Sequence, residues 1–305
     1  MGGFILRNIA KAFCGFQVLM VSFLCSTESS FALSFPLYSG EKAIQFDELL
    51  FTNNYDFNGI VELSNCSGSL IRYEQSDLDD KAIILTNGHC VDMISPNTAY
   101  YQRQSNRRFT LLNSRGRTAG RVYASMLEYA TMTKTDIALY TLQKTYRQIE
   151  DEYGVEAYTL SSERPNIGDD IEIISGYWHR GYSCEIEEVI HRLKEANWTF
   201  HDSLRYSRPG CKTIGGTSGS PVILSGTKTV IAINNTGNES GRECTLNNPC
   251  EVNEEGQVYY KKGYSYAQQT ELIYSCLDDE LRINLELEGC ELPGVNGSLK
   301  LVVSK

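Results

Sequence analysis

Short apolar stretches that alternate with polar or turn-forming residues run through most of this 305-residue chain. Ile60-Val61-Glu62-Leu63, Ala82-Ile83-Ile84-Leu85, Phe109-Thr110-Leu111-Leu112, Arg121-Val122-Tyr123 and Ile137-Ala138-Leu139-Tyr140 form a first group. Ile171-Glu172-Ile173-Ile174, Glu185-Ile186-Glu187, Val222-Ile223-Leu224, Val230-Ile231-Ala232-Ile233 and Gln257-Val258-Tyr259-Tyr260 form a second. β-Branched and aromatic residues dominate both groups, and the segments are too short for helices, so they are expected to be half-buried strands. Between the groups, residues 143–166 are polar, carry charges and include Pro165, which suits a connection between two folded halves. A helix is expected over residues 267–277, starting at Ala267, where Ala, Gln, Glu and Leu are good helix formers. The pattern predicts an all-β protein in two halves, 51–150 and 151–277.

The amino terminus breaks this pattern. Arg7 and Lys11 precede an apolar run over residues 12–24, and Ser30 and Ala32 are small residues of the kind a signal peptidase reads. The run is shorter than the roughly 20 residues of a spanning helix. Residues 1–32 are therefore read as a cleaved secretory signal, with no membrane association once it is removed, and 33–50 as an N-terminal segment or propeptide. The expected location is secreted or periplasmic. Arg7, Lys11 and Glu28 together carry +1, so the formal charge of −10 becomes −11 without them. Phosphate backbones would be repelled, which argues against nucleic-acid binding.

Ten cysteines become eight without Cys14 and Cys25, an even count that in an exported chain favours disulfides. No Cys-x-x-Cys or His-x-x-x-His is present, so neither a zinc site nor another metal is expected. Cys184 is expected to pair with Cys211, both lying in the second half, ahead of the chain's most informative stretch. Cys244–Cys250 would close a small loop and Cys276–Cys290 would staple the tail, connectivities that the sequence leaves open.

That stretch is Gly215-Gly216-Thr217-Ser218-Gly219-Ser220-Pro221. A serine hydroxyl becomes a useful nucleophile only with a base against it and backbone N–H groups facing the developing oxyanion. Glycines around Ser218 let the chain turn sharply, so that the N–H groups of Gly216 and Ser218 can converge on one spot. Thr86-Asn87-Gly88-His89-Cys90 ends an apolar run on a histidine, and Asp136 heads another in Asp136-Ile137-Ala138-Leu139. Each alone has a plain structural reading, as a loop histidine, a strand cap or a glycine turn. Together, in the order His89, Asp136, Ser218, they match the order of one class of triad hydrolases.

These segments resemble the trypsin/chymotrypsin family, and within it the bacterial glutamyl-endopeptidase (V8-like) branch. Cys66-Ser67-Gly68-Ser69-Leu70-Ile71 resembles that family's Cys-Gly-Gly-Ser-Leu-Ile strand. Thr86 to Cys90 resembles Thr-Ala-Ala-His-Cys, Asp136 to Leu139 matches Asp-Ile-Ala-Leu, and Gly216 to Pro221 resembles Gly-Asn-Ser-Gly-Ser-Pro. The likeness covers roughly residues 50 to 270, so that 278–305 run past the family's usual end as a C-terminal extension, either stapled to the fold or trimmed in maturation. It implies two antiparallel six-stranded β-barrels of the chymotrypsin type with a short C-terminal helix, and a Cys66–Cys90 bridge of a kind that contributes about 2–4 kcal/mol. It also implies acyl transfer on a polypeptide by a monomer without an organic cofactor: Ser218 as nucleophile, His89 as base, Asp136 as its orienter, and Gly216 with Ser218 as the oxyanion hole. Activity would need neutral His89 and rise through a pKa of roughly 6.5–7.

Three departures bear on detail. Thr217 stands where trypsin-like zymogens carry an aspartate before the nucleophile; it cannot neutralise an ammonium, so activation by insertion of a freed amino terminus is not expected. Counting from the serine brings Lys212 and Thr213 to the base of the specificity pocket and Asn234 to its wall. Glutamyl endopeptidases have a histidine where Asn234 stands, which undercuts glutamate preference, and no acid lies at the pocket base, which argues against cleavage after Lys or Arg. Lys212 reads either as a receptor for an acidic side chain or as a plain exposed lysine. The rival from another class is a catalytically silent binding or adhesion module on the same fold. Asp77, Asp79 and Asp80 read as a solvated acidic turn.

Overall fold

A computed structural model describes residues 55–294 and 300–303; the expected signal (1–32) and the segment 33–50 lie outside them. Seven strands precede the chain's midpoint: β1 (Ile60–Glu62), β2 (Ser67–Arg72), β3 (Lys81–Thr86), β4 (Thr98–Gln104), β5 (Arg108–Leu112), β6 (Thr118–Thr131) and β7 (Ile137–Thr145). Their antiparallel pairings run β1–β2–β3–β7–β6–β5 and return from β5 to β1, which closes a six-stranded barrel. β6 is 14 residues long and also pairs β4; register shifts along it bend the strand so that it can serve both neighbours. Phe109, Leu111, Val122 and Tyr140 fill the interior.

The second half repeats the plan. β8 (Tyr158–Leu160) runs parallel to both β2 and a strand of the second half, linking the two. β9 (Asp170–Ser175), β10 (Arg180–Glu195), β11 (Trp198–Tyr206), β12 (Pro221–Leu224), β13 (Thr229–Gly237), β14 (Cys250–Val252), β15 (Val258–Tyr259) and β16 (Ser265–Gln269) follow. The ring β9–β10–β11–β16–β13–β12 closes back on β9, a second antiparallel six-stranded barrel. Ile173, Tyr206, Val222 and Ala232 sit in its core. A further cluster draws on both barrels, with Ile71, Leu85 and Leu139 from the first and Ile223, Val230 and Ile233 from the second.

The polar stretch after β7 contains one α-helix, α1 (Tyr146–Tyr153), that the strand pattern did not anticipate. Thr145 and Gln148 form a reciprocal capping box at its start, Gly154 in the left-handed conformation ends it, and Tyr146 and Ile149 are its buried face. The expected C-terminal helix is a six-residue 3-10 helix, Glu271–Cys276. Ala267, expected inside it, lies instead in β16, whose five residues are all buried between β11 and β13. Pairing on both edges outweighs the helix propensity of Ala and Gln there.

Beyond residue 277 the chain packs back onto the molecule. Ile283, Leu285 and Leu292 are buried in the cluster that also holds Ile71 and Tyr129, the Tyr129 hydroxyl donates to the Pro293 carbonyl at 2.7 Å, and β17 (Lys300–Val303) pairs parallel to β4. Disulfides join Cys66–Cys90, Cys184–Cys211, Cys244–Cys250 and Cys276–Cys290. Among the described residues no helix is long and apolar enough to cross a membrane.

Candidate active site

His89 lies in the loop that leaves β3, and Asp136 immediately precedes β7, the neighbour of β3 in the first barrel. The two meet because this loop comes very close to the end of β6. A Cβ on Gly88 would sit 2.0 Å from the Thr131 carbonyl oxygen, so only glycine fits. Asn87 Nδ2 donates to the Asp136 carbonyl at 2.7 Å, and the His89 backbone N–H donates to Asp136 Oδ1 at 3.0 Å. The second carboxylate oxygen, Oδ2, lies 2.6 Å from His89 Nδ1. Asp136 is buried, whereas the His89 side chain keeps 23% exposure toward the cleft. Cys66–Cys90 ties the start of β2 to the residue after His89, and Arg107 braces the same turn by donating to the Cys90 carbonyl at 2.8 Å.

Burial works against the imidazolium of His89, but the Asp136 carboxylate, by charge and by hydrogen bond, and the Glu195 carboxylate outweigh it; the pKa ends above the ordinary histidine value. With Nδ1 held by Asp136, Nε2 is the nitrogen left for a substrate or a hydroxyl.

Ser218 comes from the loop between β11 and β12 in the second barrel. This loop is anchored on the first barrel: the Ser67 N–H donates to the Ser218 carbonyl at 2.8 Å, and Ser67 Oγ donates to the Gly216 carbonyl at 3.3 Å. Gly219 has φ +80°, and a Cβ there would lie 2.2 Å from the Ser67 carbonyl, so the turn after the serine also demands glycine. Ser218 Oγ donates to the Asn235 carbonyl at 3.0 Å. A hydroxyl has one proton to give, so this rotamer directs it to Asn235 and not to the imidazole.

The peptide between Gly215 and Gly216 has its own anchor. Trp178 Nε1 donates to the Gly215 carbonyl at 2.7 Å. In a trans peptide the N–H points opposite to the carbonyl, so fixing the carbonyl toward Trp178 turns the Gly216 N–H the other way. Thr217 is fully buried with the Tyr182 hydroxyl beside it; the amino terminus, which the activation argument concerns, lies outside the described residues.

His89, Asp136 and Ser218 line one cleft, together with Asn234, Asn235 and Glu195. Thr213 lines this cleft too, and with Lys212, Gly237, Glu239, Tyr264 and Ser265 it also lines an adjoining cavity. Asn234 does not join Lys212 there: it is buried on the Ser218 side, and its side-chain oxygen accepts from the Tyr206 hydroxyl at 3.3 Å. Sequence reasoning missed Trp178 and Glu195, and it placed Asn235 beside Asn234 on the pocket-wall strand without a role for its carbonyl. Trp178 sits in a turn with no motif around it, Asn235 acts through its backbone carbonyl, and Glu195 ends a charge-rich strand that reads as solvated.

Cys66, His89 and Cys90 offer three potential metal ligands in close proximity, but the two sulfurs are bonded to each other and cannot act as thiolates. The acidic turn is accounted for locally: Asp79 pairs with Arg147 at 2.7 Å, and Asp80 accepts from the Asp77 N–H.

A family profile described as the trypsin-like peptidase domain matches residues 66–233, over half the chain. The chain belongs to the trypsin-like peptidase domain family. Its two closed antiparallel barrels are the chymotrypsin-type, serine-protease fold. Among solved structures it is similar to the MamO protease domain from Magnetospirillum magneticum (12% identity, TM-score 0.46), covering 74% of this chain and 100% of that one. A protease from Nocardiopsis (16% identity, TM-score 0.43) covers 75% and 98%, and a Glu endopeptidase (14% identity, TM-score 0.40) covers 70% and 85%. No curated protein matches in sequence.

Proposed function

We propose that this protein is an exported serine endopeptidase that cleaves polypeptides through an acyl-enzyme. The observation that carries the reading is the 2.6 Å His89–Asp136 pair opening onto the same cleft as a glycine-framed Ser218. Ser218 Oγ swings from the Asn235 carbonyl toward His89 Nε2, passes its proton there and bonds to the substrate carbonyl carbon. The electron pair displaced onto oxygen is met by the N–H groups of Gly216 and Ser218. Imidazolium, steadied by Asp136, protonates the leaving amine; water then enters by the same route and releases the acid. The freed Asn235 carbonyl becomes an acceptor for a substrate backbone N–H. Secretion follows from the residue 1–32 signal and fits the four disulfides.

One observation favours the silent alternative, a binding module on the same fold: the serine proton is directed at Asn235. A fluorophosphonate separates the two, because it phosphonylates only an activated serine. The protease reading expects one adduct, mapped to Ser218 by mass spectrometry and absent in Ser218→Ala. A folded wild-type protein that takes no label is the silent module.

A further inference from the structure

The cleft contains a buried acid that the proposed acyl-transfer steps do not use. Glu195 is the last residue of β10, paired with Trp198 across the end of the β10–β11 hairpin. That end is fastened to the first barrel: Trp198 Nε1 donates to the Ile94 carbonyl at 2.8 Å, and the His201 N–H donates to the Lys134 carbonyl at 2.7 Å. The hairpin thereby spans both barrels and holds Glu195 in the cleft that His89 and Ser218 line. Only 7% of the residue is exposed.

The carboxylate is hydrogen-bonded but has no cation. Its Oε1 accepts from the Asn247 N–H at 2.7 Å, and the Thr236 hydroxyl also favours its charged form. Burial nonetheless raises its pKa, with only His89 supplying positive charge and Asp136 adding repulsion. Among the described residues lining the cleft none is lysine or arginine, and Glu239 joins Asp136 as a further acid there. The same fold treats its buried arginine differently: Arg205 is met by Glu187, Glu188 and Glu251. A desolvated carboxylate without a counter-ion is costly, and a cation brought by a ligand relieves that cost. Trp198, Phe200 and Met132 supply apolar walls for the alkyl stem of a lysine or arginine, with the indole able to face its charge.

We infer that Glu195 is a specificity-determining residue that receives a lysine or arginine side chain of the polypeptide substrate, at a position amino-terminal to the residue whose carbonyl is attacked. The inference rests on the protease reading. The position follows from assigning the attacked residue's own side chain to the cavity of Lys212 and Tyr264, which shares Thr213, Ile214, Gly237 and Glu239 with the Ser218 cleft but is not lined by Glu195, so that a preceding side chain is left to reach Glu195.

The test uses mature protein and a fluorogenic peptide library that varies the four residues preceding the cleaved bond. A matched pair then differs only by arginine against citrulline, its neutral isostere, at the preferred position. Wild type is expected to favour arginine by about tenfold or more. In Glu195→Gln that ratio falls to near one, in Glu195→Asp part of it survives, and in Glu195→Lys the library preference turns toward acidic residues. Ratios are taken within each variant, so a general loss of activity cancels. Peptide cleavage with no basic preference at those upstream positions in wild type overturns the inference without any variant. It is also overturned by a preference that Glu195→Gln leaves intact, or by equal loss on the arginine and citrulline peptides. Absence of both cleavage and fluorophosphonate labelling in wild type overturns the protease reading itself, and the inference with it.

Discussion

His89 and Asp136 meet across 2.6 Å in the first barrel, whereas Ser218 in the second barrel gives its proton to the Asn235 carbonyl of that same barrel. The first pair is fixed from several directions: a glycine-only approach to Thr131, an amide from Asn87, a backbone N–H on the carboxylate and a disulfide beside the histidine. The serine loop is held by its carbonyls, those of Gly215, Gly216 and Ser218, while the hydroxyl turns about a single side-chain bond. On the proposed protease reading, the acid–base half is set before substrate arrives, and the nucleophile is the part with a choice. Such a division predicts losses of different size and kind from the two halves.

The largest losses should come from the reacting groups themselves, and among them the fixed pair tests the contrast. Asp136→Asn leaves the shape intact but offers His89 the wrong partner and tautomer, so kcat for a peptide substrate should drop by about 10⁴-fold. Ser218→Ala should be at least as severe, yet with an unchanged melting temperature, because its hydroxyl makes one replaceable hydrogen bond. If Asp136→Asn costs less than tenfold, the pair is structural and the contrast between the halves fails. Gly88→Ala attacks the same half by another route. A methyl group 2.0 Å from a backbone oxygen forces the loop off β6, and a stability loss of about 2–4 kcal/mol in denaturant unfolding is expected, with activity falling in parallel.

In the loop that carries Ser218, away from the serine itself, the effect should be smaller and confined to turnover. Trp178→Phe keeps the ring but removes the N–H that fixes the Gly215 carbonyl. Losing an oxyanion donor outright costs about 10²–10³ in kcat; loosening one through its neighbour should cost about tenfold, with KM nearly unchanged. A peptide boronate, whose tetrahedral adduct uses the same N–H groups, should lose affinity by a similar factor. An equal rise in KM would instead mean that Trp178 shapes substrate binding.

How much of this was readable beforehand follows the same division. Two β halves were legible because each half of the sequence carries its own series of short β-branched runs, whereas their closure into barrels was implied only by the family resemblance. Residues 89, 136 and 218 stood out because glycines and small residues beside them have steric reasons that sequence displays. β16 was misread because Ser-Tyr-Ala-Gln-Gln has no alternation when both faces are buried. α1 announced itself in Thr145-x-x-Gln148, a capping box hidden in a stretch dismissed as polar. Glu195 and Trp178 acquire their meaning only when a hairpin end and a turn reach across to other segments, and no local pattern encodes such a crossing.

The smallest effect separates the halves by pH. The carboxylate beside it raises the pKa of His89 despite burial, so the rising limb of kcat/KM should lie above the ordinary histidine value of about 6.5. The sign for stability follows from the same shift. The folded state favours the imidazolium, so the pair's contribution is complete below the unfolded value and is lost as pH climbs through the higher folded one. Proton NMR of the His89 ring in a Ser218→Ala background reads this directly, without turnover. In that background Asp136→Asn should move the midpoint down past the ordinary value, since burial, which disfavours the charge, remains while the main attraction is gone. Glu195→Gln should move it down by a smaller step, because that carboxylate acts on His89 by charge alone. A midpoint that ignores Asp136 would mean the two groups do not share the proton relationship on which the fixed half depends.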